Sequence, residues 1–241
     1  MSYLIRALCI LFLMITAPWA FSQQRLVLTT TLGLEYFNTI GELVLIEAYE
    51  KIGIKVEVLR VPSKRSLTMS NSGQSDGEVH RIKSITQNFT NLVQSPVSIN
   101  HVDIVAFSTY PGTIINSEKE LASYSIVYHK GAMVFEKITA GFPHVQTVSI
   151  SKQGLMMLAN NRAEIFLGDS LSGPATIKEN NIQGVYMLSP PVKTIYMYHC
   201  LNKKNAHLIP EISQVLKAME ASGRIKEIRD HYMIEYFKKF D

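Results

Sequence analysis

Short β-branched runs alternate with helix-period runs along the first third of this chain, and that alternation leaves few folds open. Residues 25–31 read Arg-Leu-Val-Leu-Thr-Thr-Thr, a strand by composition. Residues 38–52 carry Ile40, Leu43, Val44, Ala48 and Tyr49 at helical spacing, and Gly53 stands where a helix commonly ends. Residues 54–61 alternate as Ile-Lys-Val-Glu-Val-Leu-Arg-Val, a half-buried strand. Pro62-Ser63 opens a short helix that closes near Gly73. Strand, helix, strand, helix is the pattern of a parallel sheet covered by helices.

The middle is less regular. Residues 92–93, 97–99 and 102–107 read as separate extended pieces, and Pro111-Gly112 marks a turn. A second series follows, with strands at 124–128, 145–150, 163–167, 185–188 and 194–201. Gly131 begins a turn or short helix, and helices are expected at 151–161, 171–180, 209–221 and 224–237. Two series of similar size predict two α/β lobes. The runs 102–107 and 194–201 are candidate crossing strands. The first lobe is then discontinuous, residues 23–105 plus 196–241, with the second lobe, 106–195, inserted.

Residues 1–22 stand apart. Arg6, the apolar run 7–15 and the ending Ala20-Phe21-Ser22 have the layout of a secretory signal peptide. The apolar run is short for a membrane span, which needs ~20 residues. Cleavage near Ser22 sends the remainder to the periplasm and removes Cys9, so Cys200 has no internal disulfide partner. Cys200 lies in a strand-like run and reads as a buried small hydrophobe. The formal net charge is +4, with acids interleaved throughout and no basic block to track a phosphate backbone. Nucleic acid is not an expected partner. The seven histidines show no two-His helical spacing with an acid and no Cys-His cluster. Neither a metal nor a cofactor is expected, and no Gly-x-Ser-x-Gly marks an enzyme.

Three sets of residues carry a family likeness. Pro62-Ser63-Lys64-Arg65-Ser66-Leu67 is followed by Gly73, Asp76-Gly77-Glu78 and Arg81. Leu158 is followed by Asn161-Arg162-Ala163-Glu164. The tail carries Leu216-Lys217-Ala218-Met219, Gly223, Ile228 and Tyr232. In this order the motifs resemble the family-3 extracellular solute-binding proteins, which serve amino-acid uptake. The resemblance implies a type II periplasmic-binding-protein fold, with two crossing strands as hinge and a ligand cleft between the lobes. It implies a monomer that closes on a small polar solute, an amino acid or related carboxylate. The solute is then delivered to the membrane permease of an ABC-type importer. A sensing module for a membrane receptor is the alternative, followed by a dehydratase-like enzyme on the same fold with Glu35 and Glu78 as acid and base. The chain departs from the family at Asn161, where glycine is usual, and residues 103–110 lack a Thr-x-x-Arg segment.

In sheets of this kind ligands gather beyond the C-terminal ends of the strands. After the first strand come Glu35, an acceptor for a ligand ammonium or a helix-start acid, and Tyr36, a pocket wall or a core aromatic. Arg81 offers a planar guanidinium to a carboxylate, or else a salt bridge to Glu78 or Asp76. Arg65 is expected to pair with Asp76 or Glu78, all three in structural, hinge-loop roles. Ser151, beside Ser149 and Lys152, either suits an anion or caps a helix. Asp169 and Ser170 occupy the loop after the 163–167 strand. By resemblance Asp169 takes a ligand amino group; otherwise it caps the next helix.

Overall fold

The computed structural model describes residues 24–32, 35–130 and 133–239. The leader expected at 1–22 and the turn or short helix expected at Gly131 lie outside them. Among the described residues one mixed sheet of nine strands runs β2-β1-β3-β9-β4-β7-β5-β6, with β8 on β4. The first half begins β1 (Arg25–Thr31), α1 (Glu35–Glu50), β2 (Lys55–Val61), α2 (Ser63–Ser72) and β3 (Gly77–Ile82). β1 lies parallel to both β2 and β3. Gly53 and Gly73 follow α1 and α2 with φ of 73° and 82°, the left-handed turn that glycine adopts without strain.

After the short helix α3 (Ile85–Asn88), the three extended pieces of the middle prove to be one strand, β4 (Leu92–Ser108). It looks broken in sequence because it is broken in register, with shifts between Gln94 and Ser98 and between Ser98 and Asn100. Pro96, inside the first shift, has no N–H to give the ladder. The second half adds β5 (Ile126–His129), α4 (Met133–Ile138), β6 (Val145–Val148), α5 (Ser151–Ala159), β7 (Ile165–Asp169), α6 (Ser172–Glu179) and the two-residue β8 (Tyr186–Met187). β9 (Lys193–Asn202) then returns antiparallel to β4, from Ile104↔Lys193 to Leu92↔Asn202. The helices α7 (Ile209–Ala221) and α8 (Arg224–Lys238) close the chain over the first half. No helix among the described residues is long and apolar enough to cross a membrane.

Each half has its own core. In the first, Leu26, Leu28, Val44, Tyr49, Val79 and Ile99 pack with Ile212 and Leu216 of α7. In the second, successive β4 residues serve opposite faces: Ile104 and Ala106 join Ile126 and Ile165, while Val105 and Phe107 join Leu155 and Phe166. A sheet buried on both faces reads in sequence as a continuous apolar run, as 104–107 does. Pairing with β7 also begins at Ile104. A small cluster of Phe37, Ile40 and Leu171 sits between the halves, against Val102, Met197 and α8 residues such as Tyr232. Cys200 is fully buried, and burial pushes its thiol pKa up to about 12.

Gly77 marks where the first half is tightest. A Cβ there would stand 2.2 Å from the Cys200 carbonyl oxygen. Backbone meets backbone, so no rotamer relieves the clash. Gly77→Ala is expected to cost about 2–3 kcal/mol, measured as a lower urea midpoint at unchanged slope. Gly112→Ala, where no atom lies within 4 Å of the added carbon, is expected to stay within about 0.5 kcal/mol of wild type.

Candidate functional site

The most concentrated chemistry in the first half is a buried carboxylate. Glu78, on β3, has no exposed surface. Its Oε1 accepts from Ser66 Oγ and Ser70 Oγ, each at 2.8 Å, and from Thr29 Oγ1 at 3.3 Å. Its Oε2 receives Arg81 Nε at 2.9 Å and lies 2.8 Å from Arg81 Nη2. Ser66 and Ser70 are one helical turn apart, so both hydroxyls of α2 point down at the sheet. Arg81 Nη1 in turn donates to Ser63 Oγ at 3.2 Å. A charge removed from water is tolerable when paired and hydrogen-bonded, and Glu78 is both.

The network continues through β9. His199 Nδ1 lies 2.8 Å from the Glu78 carbonyl oxygen, and its Nε2 lies 2.8 Å from Tyr49 Oη. A carbonyl only accepts, so Nδ1 carries the proton and the tyrosine hydroxyl donates to Nε2. Burial lowers the His199 pKa to about 4. His80, its ring 4.7 Å from that of Phe37, is lowered to about 3 by burial and by the adjacent Arg81 charge. Both rings are neutral at physiological pH.

A second polar cluster sits where the halves join. A cavity of about 420 Å³ is lined by residues including Ile40, Asn100, His101, Asp103, Tyr196 and Arg229. Arg229 donates to Asn100 Oδ1 at 3.0 Å and to the His101 carbonyl at 2.7 Å. Asp103 accepts from Thr194 Oγ1 at 2.6 Å, tying β4 to β9. Burial, then the Arg229 charge, lower the His101 pKa, and Asp103 opposes them. This cavity lies under α8, not at the C-terminal ends of the parallel strands.

The expected site residues fall as follows. Glu35 and Tyr36 open α1, but their side chains lie outside the described residues. Arg81 is engaged with Glu78, the salt-bridge alternative to its carboxylate role. Arg65 is exposed and pairs with neither acid, because both are already occupied. Glu78 has the hydroxyls and Arg81, and Asp76 accepts the Val27 N–H at 2.7 Å and meets Lys204 Nζ at 2.9 Å. Ser151 lies inside the first turn of α5, which has no side-chain cap; Gln153 Oε1 instead accepts the Ser149 N–H at 3.2 Å. The Asp169 carboxylate accepts the N–H of Leu171 at 3.0 Å and of Ser172 at 2.7 Å, and the Ser172 hydroxyl, holding the start of α6. Ser170 N donates to the Asp103 carbonyl at 2.9 Å, so this loop is fastened to the crossing strand. Sequence reasoning did not single out Ser70, Thr29, His199 or Arg229. Serines four apart on a short helix with little apolar character were the available sign for Ser66 and Ser70.

No protein-family model matches the chain. An uncharacterized protein of Shewanella oneidensis is 23% identical over 193 residues, covering 76% of this chain and 72% of its own. Solved structures match its shape far better than its sequence. The L-cystine solute receptor of Neisseria gonorrhoeae, in its unliganded open conformation, aligns at TM-score 0.69 and 17% identity, over 88% of this chain and 94% of that one. The GluR0 ligand-binding core in complex with L-glutamate aligns at 0.66 and 14% identity, over 88% and 99%. A histidine kinase sensor domain with similarity to periplasmic binding proteins aligns at 0.62 and 13% identity, over 87% and 96%. The fold is the two-lobed α/β fold of periplasmic binding proteins.

Arg81→Ala strands the buried Glu78 carboxylate and is expected to cost about 3–5 kcal/mol in urea unfolding. The double replacement Glu78→Met with Arg81→Met, which removes both charges, is expected to cost clearly less. Acid titration tests the histidines. Each keeps a folded pKa below its unfolded value, so its stabilisation is complete above about pH 6.5 and is lost as pH falls toward 4 and then 3. Asp76, held low by Val27, Lys204 and Asn205 against its own desolvation, acts in the same sense. Between about pH 6 and 4.5 each histidine contributes up to about 1.4 kcal/mol per pH unit. His199→Gln should remove one such increment from the slope of unfolding free energy against pH.

Proposed function

We propose that this chain is an exported ligand-binding module whose two lobes close on a small polar solute. The observation that carries this is the way its two cores are joined. Among the described residues only β4 and β9 belong to both half-sheets, and their pairing is irregular around Ser98 and Asn100. We place the hinge at residues 98–103 and 194–198, a few residues before the 105/106 cut expected from sequence, because pairing with β7 starts at Ile104. Lobe closure about a few residues at element junctions is a standard hinge motion. The leader layout of residues 1–22 supports work in the periplasm.

Delivery of the solute to the permease of an ABC-type importer is the first reading, from the family-3 resemblance. Sensing for a membrane receptor is the second, favoured by the likeness to a histidine kinase sensor domain over 96% of that domain. Catalysis is not favoured. Glu78, one half of the acid/base pair considered, is fully buried and engaged by Arg81 and three hydroxyls. That leaves it no route to a substrate.

Residues 23–241, unfolded and refolded to strip carried-over ligand, should be screened by thermal shift against amino acids, carboxylates, polyamines and sugars. A ligand at a hundredfold its dissociation constant adds ~2.7 kcal/mol, a rise in midpoint of about 5–11 °C. The radius of gyration in small-angle scattering should fall when that ligand is added. Binding without compaction would sink the closure mechanism, and loss of the ligand over time would reassign the chain to catalysis.

A further inference from the structure

We infer that the cleft takes a small polyanion, a molecule with two or more negative charges, rather than a zwitterionic amino acid. This deepens the proposed function and rests on it. The argument begins with what Arg81 is not free to do. Its guanidinium is spent on Glu78, and only 12% of the side chain is exposed. It does not offer the fork that a lone α-carboxylate needs.

Other cations occupy the same edge of the sheet. Lys64 and Arg65 follow the C-terminal end of β2, in the first turn of α2, and Lys83 follows the C-terminal end of β3. Across the cleft, Lys130 follows the C-terminal end of β5, and Lys152 sits in the first turn of α5, just beyond β6. All five are exposed. None makes a side-chain ion pair or hydrogen bond among the described residues, while Lys193, Lys204 and Arg25 elsewhere each meet an acid. The acids of this edge offset these cations only in part: Asp169, hydrogen-bonded by neutral groups at the start of α6, and Asp103, bonded to Thr194, keep their charges, two against five.

Unpaired like charges on two facing low-dielectric walls focus a positive field into the gap between them. Bringing the walls together without a ligand sets Lys64, Arg65 and Lys83 against Lys130 and Lys152, which opposes closure. A polyanion between them reverses the sign of that term. The closed state is then favoured only with a multiply charged solute in place, which is the differential affinity that closure requires. A zwitterion, neutral overall, leaves most of the repulsion standing.

The test is calorimetric titration of refolded 23–241 with a panel of di- and tricarboxylates, including citrate, and sugar phosphates, including glucose 6-phosphate. Glutamine and arginine serve as zwitterionic and cationic comparisons. At least one polyanion should bind, its affinity falling about tenfold or more between about 20 and 150 mM NaCl. Which arm binds tells a carboxylate from a phosphate ligand. Lys83→Gln and Lys152→Gln, one from each lobe, should each weaken binding about fivefold or more with the unliganded melting point unchanged. Lys217→Gln, on the solvent side of α7, should leave it unaltered. Binding of glutamine or arginine with no polyanion binding overturns the inference and leaves the binding module standing. So does polyanion affinity that survives both lysine replacements. If no panel member binds, the polyanion is withdrawn, and the wider thermal-shift screen then decides the fate of the module itself.

Discussion

The Glu78 carboxylate, buried without exposure on β3, is the constraint around which the first lobe is arranged. An ionised group there is stable only if every neighbouring element supplies a donor. β1 supplies Thr29, α2 supplies Ser66 and Ser70, and β3 supplies Arg81. Arg81 then reaches Ser63 at the head of α2. The helix is thereby held to the sheet by hydrogen bonds where an ordinary amphipathic helix would use an apolar stripe. Satisfied polar clusters fix one arrangement more sharply than apolar contacts, because a displaced partner leaves a charge stranded.

That cluster also gives physical meaning to the string of residues between Ser63 and Arg81. Ser63, Ser66, Ser70, Glu78 and Arg81 form one bonded unit. Gly73 ends α2 in the left-handed conformation. Asp76 clips the turn to β1 through the Val27 N–H. Gly77 lets β3 pass against the Cys200 carbonyl with no room for a side chain. The motif is a polar joint between helix and sheet, and His199 extends it across β9 to Tyr49 in α1.

Strand and helix order was legible because β1, β2 and α1 obey simple periodicity, and Gly53, Pro62, Gly73, Pro210 and Gly223 punctuate the helices. The long β4 was not, because its register shifts and Pro96 interrupt the alternation that marks a strand. The reach of Arg81 to Glu78 was legible only as an alternative, since on a regular strand the two side chains would face opposite ways, and it is the register shift between them in β3 that brings them together. Arg65 misled for the opposite reason. Proximity in sequence placed it near two acids, but α2 turns its serine face to the sheet and leaves Arg65 in solvent. Arg229 could not be read at all. Its partners, Asn100 and His101, lie more than a hundred residues away and meet it only through the crossing of β4 beneath α8.

The hinge we propose inherits its properties from both ends. The first lobe is made rigid by the Glu78 joint, and the second by two apolar layers that share β4. Between them β4 and β9 keep few regular ladder bonds near Ser98 and Asn100, so bending costs least there. Asp103 and Thr194, bonded to each other across the strands, and Ser170, bonded to the Asp103 backbone, make the next few residues move with the second lobe. The Phe37, Ile40 and Leu171 contact bridges the lobes beside the hinge and limits how far they can part. With both lobes stiff and the joint narrow, the charges on the two facing edges travel as fixed sets. In the closure we propose, their sum, not the fit of any one side chain, is the quantity on which a ligand acts.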